Sequence, residues 1–178
     1  SGEAITPRRR ARYDVVPSAV YTHPQVASVG LNTKMAEDQG YRILTGKYAY
    51  EYTIKPFAMG YDFGKPENFV KVIADEATKR ILGVQIVGPE AAILIQPYVN
   101  LINAGEYKFK ILEPEIASPE TERERKEFKA RYLDPRIPDA VNYTMTIHPA
   151  LSEVSTWASG EIEFDGPTLN AEQPIDSD

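Results

Sequence analysis

Phe69-Val70-Lys71-Val72-Ile73-Ala74, followed by the polar stretch Asp75 to Arg80 and then Ile81-Leu82-Gly83-Val84-Gln85-Ile86-Val87-Gly88, decides how this chain folds. The valine- and isoleucine-rich runs suit a pleated, well-covered surface, and the polar interval suits a hairpin turn. Two adjacent antiparallel strands are therefore expected at the centre of the fold.

Upstream of the hairpin, Pro17 to Gly30 is rich in β-forming residues. Asn32 and Thr33 can cap a short helix over Lys34 to Gln39, which Gly40 stops. Tyr41 to Ile54 is dense in Tyr, Ile and Thr and reads as a strand, with Tyr48, Tyr50 and Tyr52 alternating on one packed or interface face. A loop punctuated by Pro56, Gly60, Gly64 and Pro66 follows. Downstream, Ala91, Ile93, Leu94, Tyr98, Leu101 and Ile102 place a helix over Glu90 to Asn103, kinked at Pro97 and stopped by Gly105. That helix is apolar nearly all round, so it needs neighbours on more than one side, and a second subunit is one way to supply them. The composition then changes. Residues 106–141 read as a charged, proline-flanked insertion in which Glu120 to Lys129 has opposite charges at helical contact spacing, as an exposed helix does. Residues 1–14, with Arg8, Arg9, Arg10 and Arg12, read as an arm or interdomain linker, 15–158 as one domain carrying the insertion, and 159–178 as an acidic tail.

The 178 residues suffice for one well-buried core. With 26 acidic and 20 basic residues the formal charge is −6, which argues against nucleic acid or an anionic membrane surface as the main partner. No apolar run has the length of a membrane-spanning helix and no secretory leader is visible, so a cytoplasmic protein is expected. The chain has no cysteine, which rules out disulfides and thiolate chemistry of its own, and its two histidines cannot build a histidine-rich metal site. No metal is expected.

Met145 to Val154 holds the most chemically suggestive spacing, an imidazole at His148 and a carboxylate at Glu153. Pro149 suits the first position of a helix, with Leu151, Val154, Trp157 and Ala158 recurring behind it at helical spacing. Because helical side chains lean toward the helix N-terminus, Glu153 can reach back to His148. A carboxylate on one imidazole nitrogen fixes the tautomer and leaves the other nitrogen to move a proton. The plainer reading is that His148 caps the helix and Glu153 is an ordinary first-turn acid. A hydrolase reading, with Ser152 as nucleophile, puts that serine beside its own supposed acid on one helical turn. His23 has no carboxylate at a useful spacing and reads as structural.

Three segments in order resemble one family. Val16-Pro17-Ser18-Ala19-Val20-Tyr21-Thr22-His23-Pro24-Gln25-Val26-Ala27-Ser28-Val29-Gly30 is similar to the first strand of the C-terminal dimerisation domain of flavin-dependent pyridine nucleotide–disulfide oxidoreductases. The hairpin, ending in Gly83-Val84-Gln85-Ile86-Val87-Gly88-Pro89, resembles that domain's central strands, and His148-Pro149-Ala150-Leu151-Ser152-Glu153 resembles its His-Pro-x-x-Ser-Glu signature. The resemblance spans residues 14–105 and 142–158 and leaves the charged insertion outside.

The resemblance implies an α+β fold, an antiparallel β-sheet with helices packed on it, and places Glu90 to Asn103 near a two-fold axis. It implies that His148 is the acid–base catalyst, with Glu153 orienting and charging it, and that the pair serves the FAD and redox disulfide of the opposite subunit. It also implies that the backbone of His148 and Pro149 lies near the partner's flavin, with a cis bond between them. The full-length enzyme would use FAD and NAD(P), and none is expected on this chain alone, which has no glycine-rich dinucleotide loop; Gly60-Tyr61-Asp62-Phe63-Gly64 is the nearest spacing. The expected partners are a second copy of the chain and the FAD and NAD domains of the full-length enzyme, and the isolated chain is expected to be inactive. The Pro-Ala-Leu-Ser-Glu stretch after His148 is most like the dihydrolipoamide dehydrogenase branch; glutathione, mercuric and mycothione reductases are the alternatives, as is a free-standing homodimeric module without catalysis.

Overall fold

A computed structural model describes residues 13–61, 67–104, 109–114, 128–142 and 144–162, with 109–114 and 128–133 described as backbone. After a short 3-10 turn at Tyr13–Val15, β1 (Ser18–Val20) and β2 (Gln25–Gly30) form an antiparallel pair around a turn that contains a cis His23–Pro24 bond. The proline segment expected as one β-rich run is thus two strands. Helix α1 (Thr33–Asp38) follows, and Asn32 caps it by accepting from the Met35 backbone N–H at 2.9 Å, as its sequence predicts.

Strand β3 (Ile43–Ala49) ends earlier than expected. Beyond Ala49 the chain turns through a 3-10 segment at Tyr50–Tyr52 and into α2 (Ile54–Ala58), inside what read as a proline and glycine loop. The cause is a set of long-range hydrogen bonds. The Tyr50 N–H donates to the Asn68 carbonyl at 3.0 Å, and Glu51 Oε1 accepts from the Glu67 and Asn68 backbone N–H groups and from Asn68 Nδ2, at 3.2, 3.1 and 2.6 Å. These bonds draw the chain out of the sheet and bury Tyr50 and Glu51. The three tyrosines therefore do not share one strand face: Tyr50 is buried, whereas Tyr48 and Tyr52 pack edge to face at 5.9 Å.

The hairpin forms as expected, β4 (Phe69–Asp75) against β5 (Ile81–Gly88), its turn held by the Asp75 carboxylate, which accepts from the Thr78 N–H and hydroxyl at 3.1 and 2.6 Å. It sits in the middle of a five-stranded antiparallel sheet of order β1-β2-β5-β4-β3. The helix expected over 90–103 is broken at Ile95 into α3 (Ala91–Leu94) and α4 (Gln96–Ile102), with Pro97 in the first turn of α4, where its missing N–H leaves no bond unmade.

Within residues 106–141, read in the sequence as an insertion, β6 (Phe109–Pro114) and β7 (Phe128–Leu133) pair with each other as a separate two-stranded hairpin. Residues 115–127, and with them most of the expected Glu120–Lys129 helix, lie outside the described residues; Phe128 and Lys129 are strand. The base of the hairpin is tied to the sheet. Arg136 holds Asp134 through Nε and an NH2 nitrogen, both at 2.8 Å, Arg80 Nε stands 3.5 Å from the same carboxylate, and the Ile81 N–H donates to the Arg136 carbonyl at 2.7 Å. Burial alone would raise the Asp134 carboxyl, but its hydrogen bonds and charge pairing with Arg136, helped by Arg80, hold it below its ordinary value.

Short helix α5 (Asp139–Asn142) leads to the 144–152 segment, and α6 (Glu153–Gly160) closes the domain. Ala27 and Val29 of β2, Val70 and Val72 of β4 and Val84 and Ile86 of β5 form one core with Ala91, Tyr98, Val154, Ala158 and Ile162. Ser159 and Ile162, inside the stretch expected as an acidic tail, are buried. Helix α6 lies so close to β3 that a Cβ on Gly46 would collide with the Ala158 carbonyl oxygen.

Candidate active site

His148 and Glu153 come together. Helix α6 begins at Glu153, not at Pro149, so Pro149 is not its first residue and His148 is not its cap. The four intervening residues form an irregular turn whose centre is the Glu153 carboxylate. Glu153 Oε2 lies 2.8 Å from His148 Nδ1, and Oε1 accepts the Ala150 backbone N–H at 2.7 Å. Both carboxylate oxygens are engaged, and a side chain engaged twice has little freedom to leave the ring. The His148–Pro149 bond is cis, as the resemblance implied.

Burial divides the pair. The Glu153 side chain is 11% exposed and that of His148 59%, so the carboxylate is held in the fold while the imidazole faces outward. Among the described residues Nε2 of His148 has no hydrogen-bond partner. A neutral ring that donates Nδ1–H to Glu153 carries its lone pair on Nε2. The arrangement can take up and return a proton at an exposed nitrogen. Ser152 makes no hydrogen bond to His148, so the nucleophile–base contact that a serine hydrolase needs is missing among the described residues.

Several residues that support the site carry no local sequence signal. The Tyr98 hydroxyl on α4 donates to the Ser155 carbonyl at 3.0 Å and lies 3.2 Å from Ser159 Oγ, fastening α4 to α6. Burial pushes that hydroxyl up to about 12, against the opposing pull of its bonds to Ser159 and Ser155. Thr146 Oγ1 and Thr156 Oγ1 are 2.9 Å apart and join the segment before His148 to α6. Trp157, exposed on the same helix, stacks on Tyr48 at 6.0 Å. These contacts link residues ten to 109 positions apart, or pair hydroxyls common on surface helices, so no local stretch of sequence reveals them. A groove of about 280 Å³ runs beside His148 between α4 and α6, lined by Leu94, Pro97, Tyr98, Met145, Thr146 and Ile147 among others. His23 is exposed in the β1–β2 turn, away from any described carboxylate bond. Among the described residues no group of His, Cys, Asp and Glu side chains could hold a metal ion, and no helix is long and apolar enough to cross a membrane.

The fold is an antiparallel sheet with helices on one core, and a carboxylate-held histidine stands on the irregular segment before α6. The family model described as "Pyridine nucleotide-disulphide oxidoreductase, dimerisation domain" matches residues 16–127, well over half of the chain, and the chain belongs to that family. Dihydrolipoyl dehydrogenase 3 of Haloarcula marismortui is 34% identical over 93 residues, 52% of this chain and 19% of that protein. Dihydrolipoyl dehydrogenase 1, mitochondrial, of Arabidopsis thaliana is 40% identical over 91 residues, 51% of this chain and 17% of that protein. Among solved structures, LpdA from Mycobacterium tuberculosis superposes with a TM-score of 0.59 at 18% identity, over 85% of this chain and 26% of that one. The chain thus spans about a fifth of the length of the curated relatives it matches. The matched residues 16–127 stop short of His148 and Glu153, so a role for that pair rests on its geometry and its motif.

Proposed function

We propose that this domain serves a dihydrolipoyl dehydrogenase-like flavoenzyme as a homodimer, and that His148, charged and oriented by Glu153, acts as acid–base catalyst at the FAD and redox disulfide of the partner subunit. One observation carries this reading. The carboxylate holds the ring at Nδ1 and leaves it exposed on a chain that has no cysteine, so whatever thiol Nε2 serves belongs to another chain or another domain. The exposed apolar side chains Met145 and Ile147, which line the groove next to the His148 segment, support a protein surface covering this side of the domain.

In this reading the S–H bond of a dithiol substrate breaks, the proton goes to Nε2, and the sulfur keeps the electron pair and attacks the enzyme disulfide as thiolate. Glu153 stabilises the imidazolium, which later returns the proton to a leaving thiolate. The residues fit FAD only as an outer contributor: His148 and the backbone at Pro149 face outward, and the chain has no dinucleotide loop of its own. FAD and NAD(P), when bound by the other domains, supply the onward electron transfer. Sedimentation equilibrium tests the association on which everything depends. The purified chain is expected to sediment at twice the 19.9 kDa of one copy, and a mass that stays at one copy at high concentration would contradict the proposal.

A further inference from the structure

The segment that carries His148 is held in place by very little. From Met145 to Pro149 the backbone makes no hydrogen bond among the described residues, and Met145 and Ile147 point out of the fold, 100% and 78% exposed. On the C-terminal side of His148 the chain is anchored by the Ala150 N–H on Glu153. On the N-terminal side its one described side-chain bond to α6 is Thr146 Oγ1 to Thr156 Oγ1 at 2.9 Å. Thr146 precedes His148 by two residues, and Thr156 follows Glu153 by three, on the same helix face. The two contacts therefore stand side by side between the 145–149 segment and α6.

We infer that Thr146 and Thr156 are positioning residues for the His148–Glu153 pair: their hydroxyl bond fixes the N-terminal flank of His148 so that Nδ1 meets Glu153 and Nε2 faces outward. The inference rests on reading His148 and Glu153 as the acid–base pair. Without the hydroxyl bond, among the described hydrogen bonds only the ring holds the stretch before Pro149 against α6, and the imidazole can swing away from the carboxylate. A swung ring would lose its reason to keep the proton on Nδ1, because imidazole in water is free to exchange between its two neutral forms.

The chain has only two histidines, so ring nitrogen resonances of the 15N-labelled protein report His148 directly, with His23 as an internal reference. In the wild-type chain the neutral His148 ring is expected in its Nδ1–H form. In Thr156→Val, the ratio of the Nδ1–H to the Nε2–H form should fall by roughly two- to tenfold, the Boltzmann weight of one hydrogen bond. Thr156→Ser, which keeps the hydroxyl, should restore it. The double variant Thr146→Val with Thr156→Val removes both polar partners, so no hydroxyl is left unpaired; it should show the same fall and keeps the test valid if the single variant folds poorly. The His23 resonances should not move in any of them. An Nδ1–H ring in the wild type whose ratio is unchanged in the double variant would overturn the positioning role and leave the pair intact. An Nε2–H ring in the wild type would overturn the pair itself and this inference with it.

Discussion

At the scale of single residues, Tyr98 shows how one side chain can serve packing and polarity together. Its ring fills the core between α4 and α6, and its hydroxyl satisfies a carbonyl and a serine of the helix that carries Glu153. Its folded-state value is raised, so its contribution to stability is fully present below the ordinary value of 10 and is lost as pH rises through about 12. Tyr50, also buried and raised, titrates in the same direction. Tyr98→Phe is expected to cost about 1 kcal/mol in denaturant melts at neutral pH and to shallow the loss of stability above pH 10. A variant with an alkaline limb as steep as that of the wild type would contradict this. His148 and Glu153 were legible in the sequence because a five-residue spacing suffices to bring the groups together. Where α6 begins was not: the Glu153 carboxylate gathers the turn around itself, and that bond to the Ala150 N–H competes with starting the helix at Pro149. The Thr146–Thr156 contact was illegible for the same reason, since it depends on the register between the turn and the helix.

At the scale of elements, the close packing of α6 on β3 sets the height of Glu153 above the sheet. Gly46 permits it. A Cβ there would run into the Ala158 carbonyl and come within 2.9 Å of Ile162 Cγ1. Gly46→Ala is therefore expected to lower stability by about 1–3 kcal/mol through overpacking, read as a shift of the urea midpoint with the slope unchanged. A midpoint equal to that of the wild type would show that α6 is not held where it stands by that approach. The central hairpin was easy to read because β4 and β5 are covered strands whose valines and isoleucines leave little alternative. The end of β3 was not, because alternating tyrosines continue past Ala49 in the sequence while the chain leaves the sheet. What turns it is the carboxylate of Glu51 closing on Glu67 and Asn68, sixteen and seventeen residues away, and no window of neighbouring residues contains that information. The β6–β7 pair was hidden by composition: the charge pattern of 120–129 speaks for a helix, whereas the pairing of 109–114 with 128–133 spans the insertion.

At the scale of the whole molecule, the fold places a held carboxylate inside the domain and a free imidazole nitrogen outside it, on a chain without thiols of its own. In the proposed reading another polypeptide surface brings the sulfur to that nitrogen. Asp134 and Arg136, just past β7, tie that stretch to Arg80 of the central hairpin, and the sheet with its helices is the fold of the family's dimerisation domain. The most direct measurement is a hybrid dimer of a flavoenzyme carrying this domain. One kind of subunit lacks its redox cysteines; the other carries His148→Gln, which as a pure dimer should lose about 10²–10⁴ in kcat. If His148 acts across the interface, a hybrid holds one complete site, and random mixing of the two inactive subunits should return about a quarter of wild-type disulfide-reducing activity. Mixtures with verified hybrid dimers that stay as inactive as their parents would show that His148 does not serve the partner subunit.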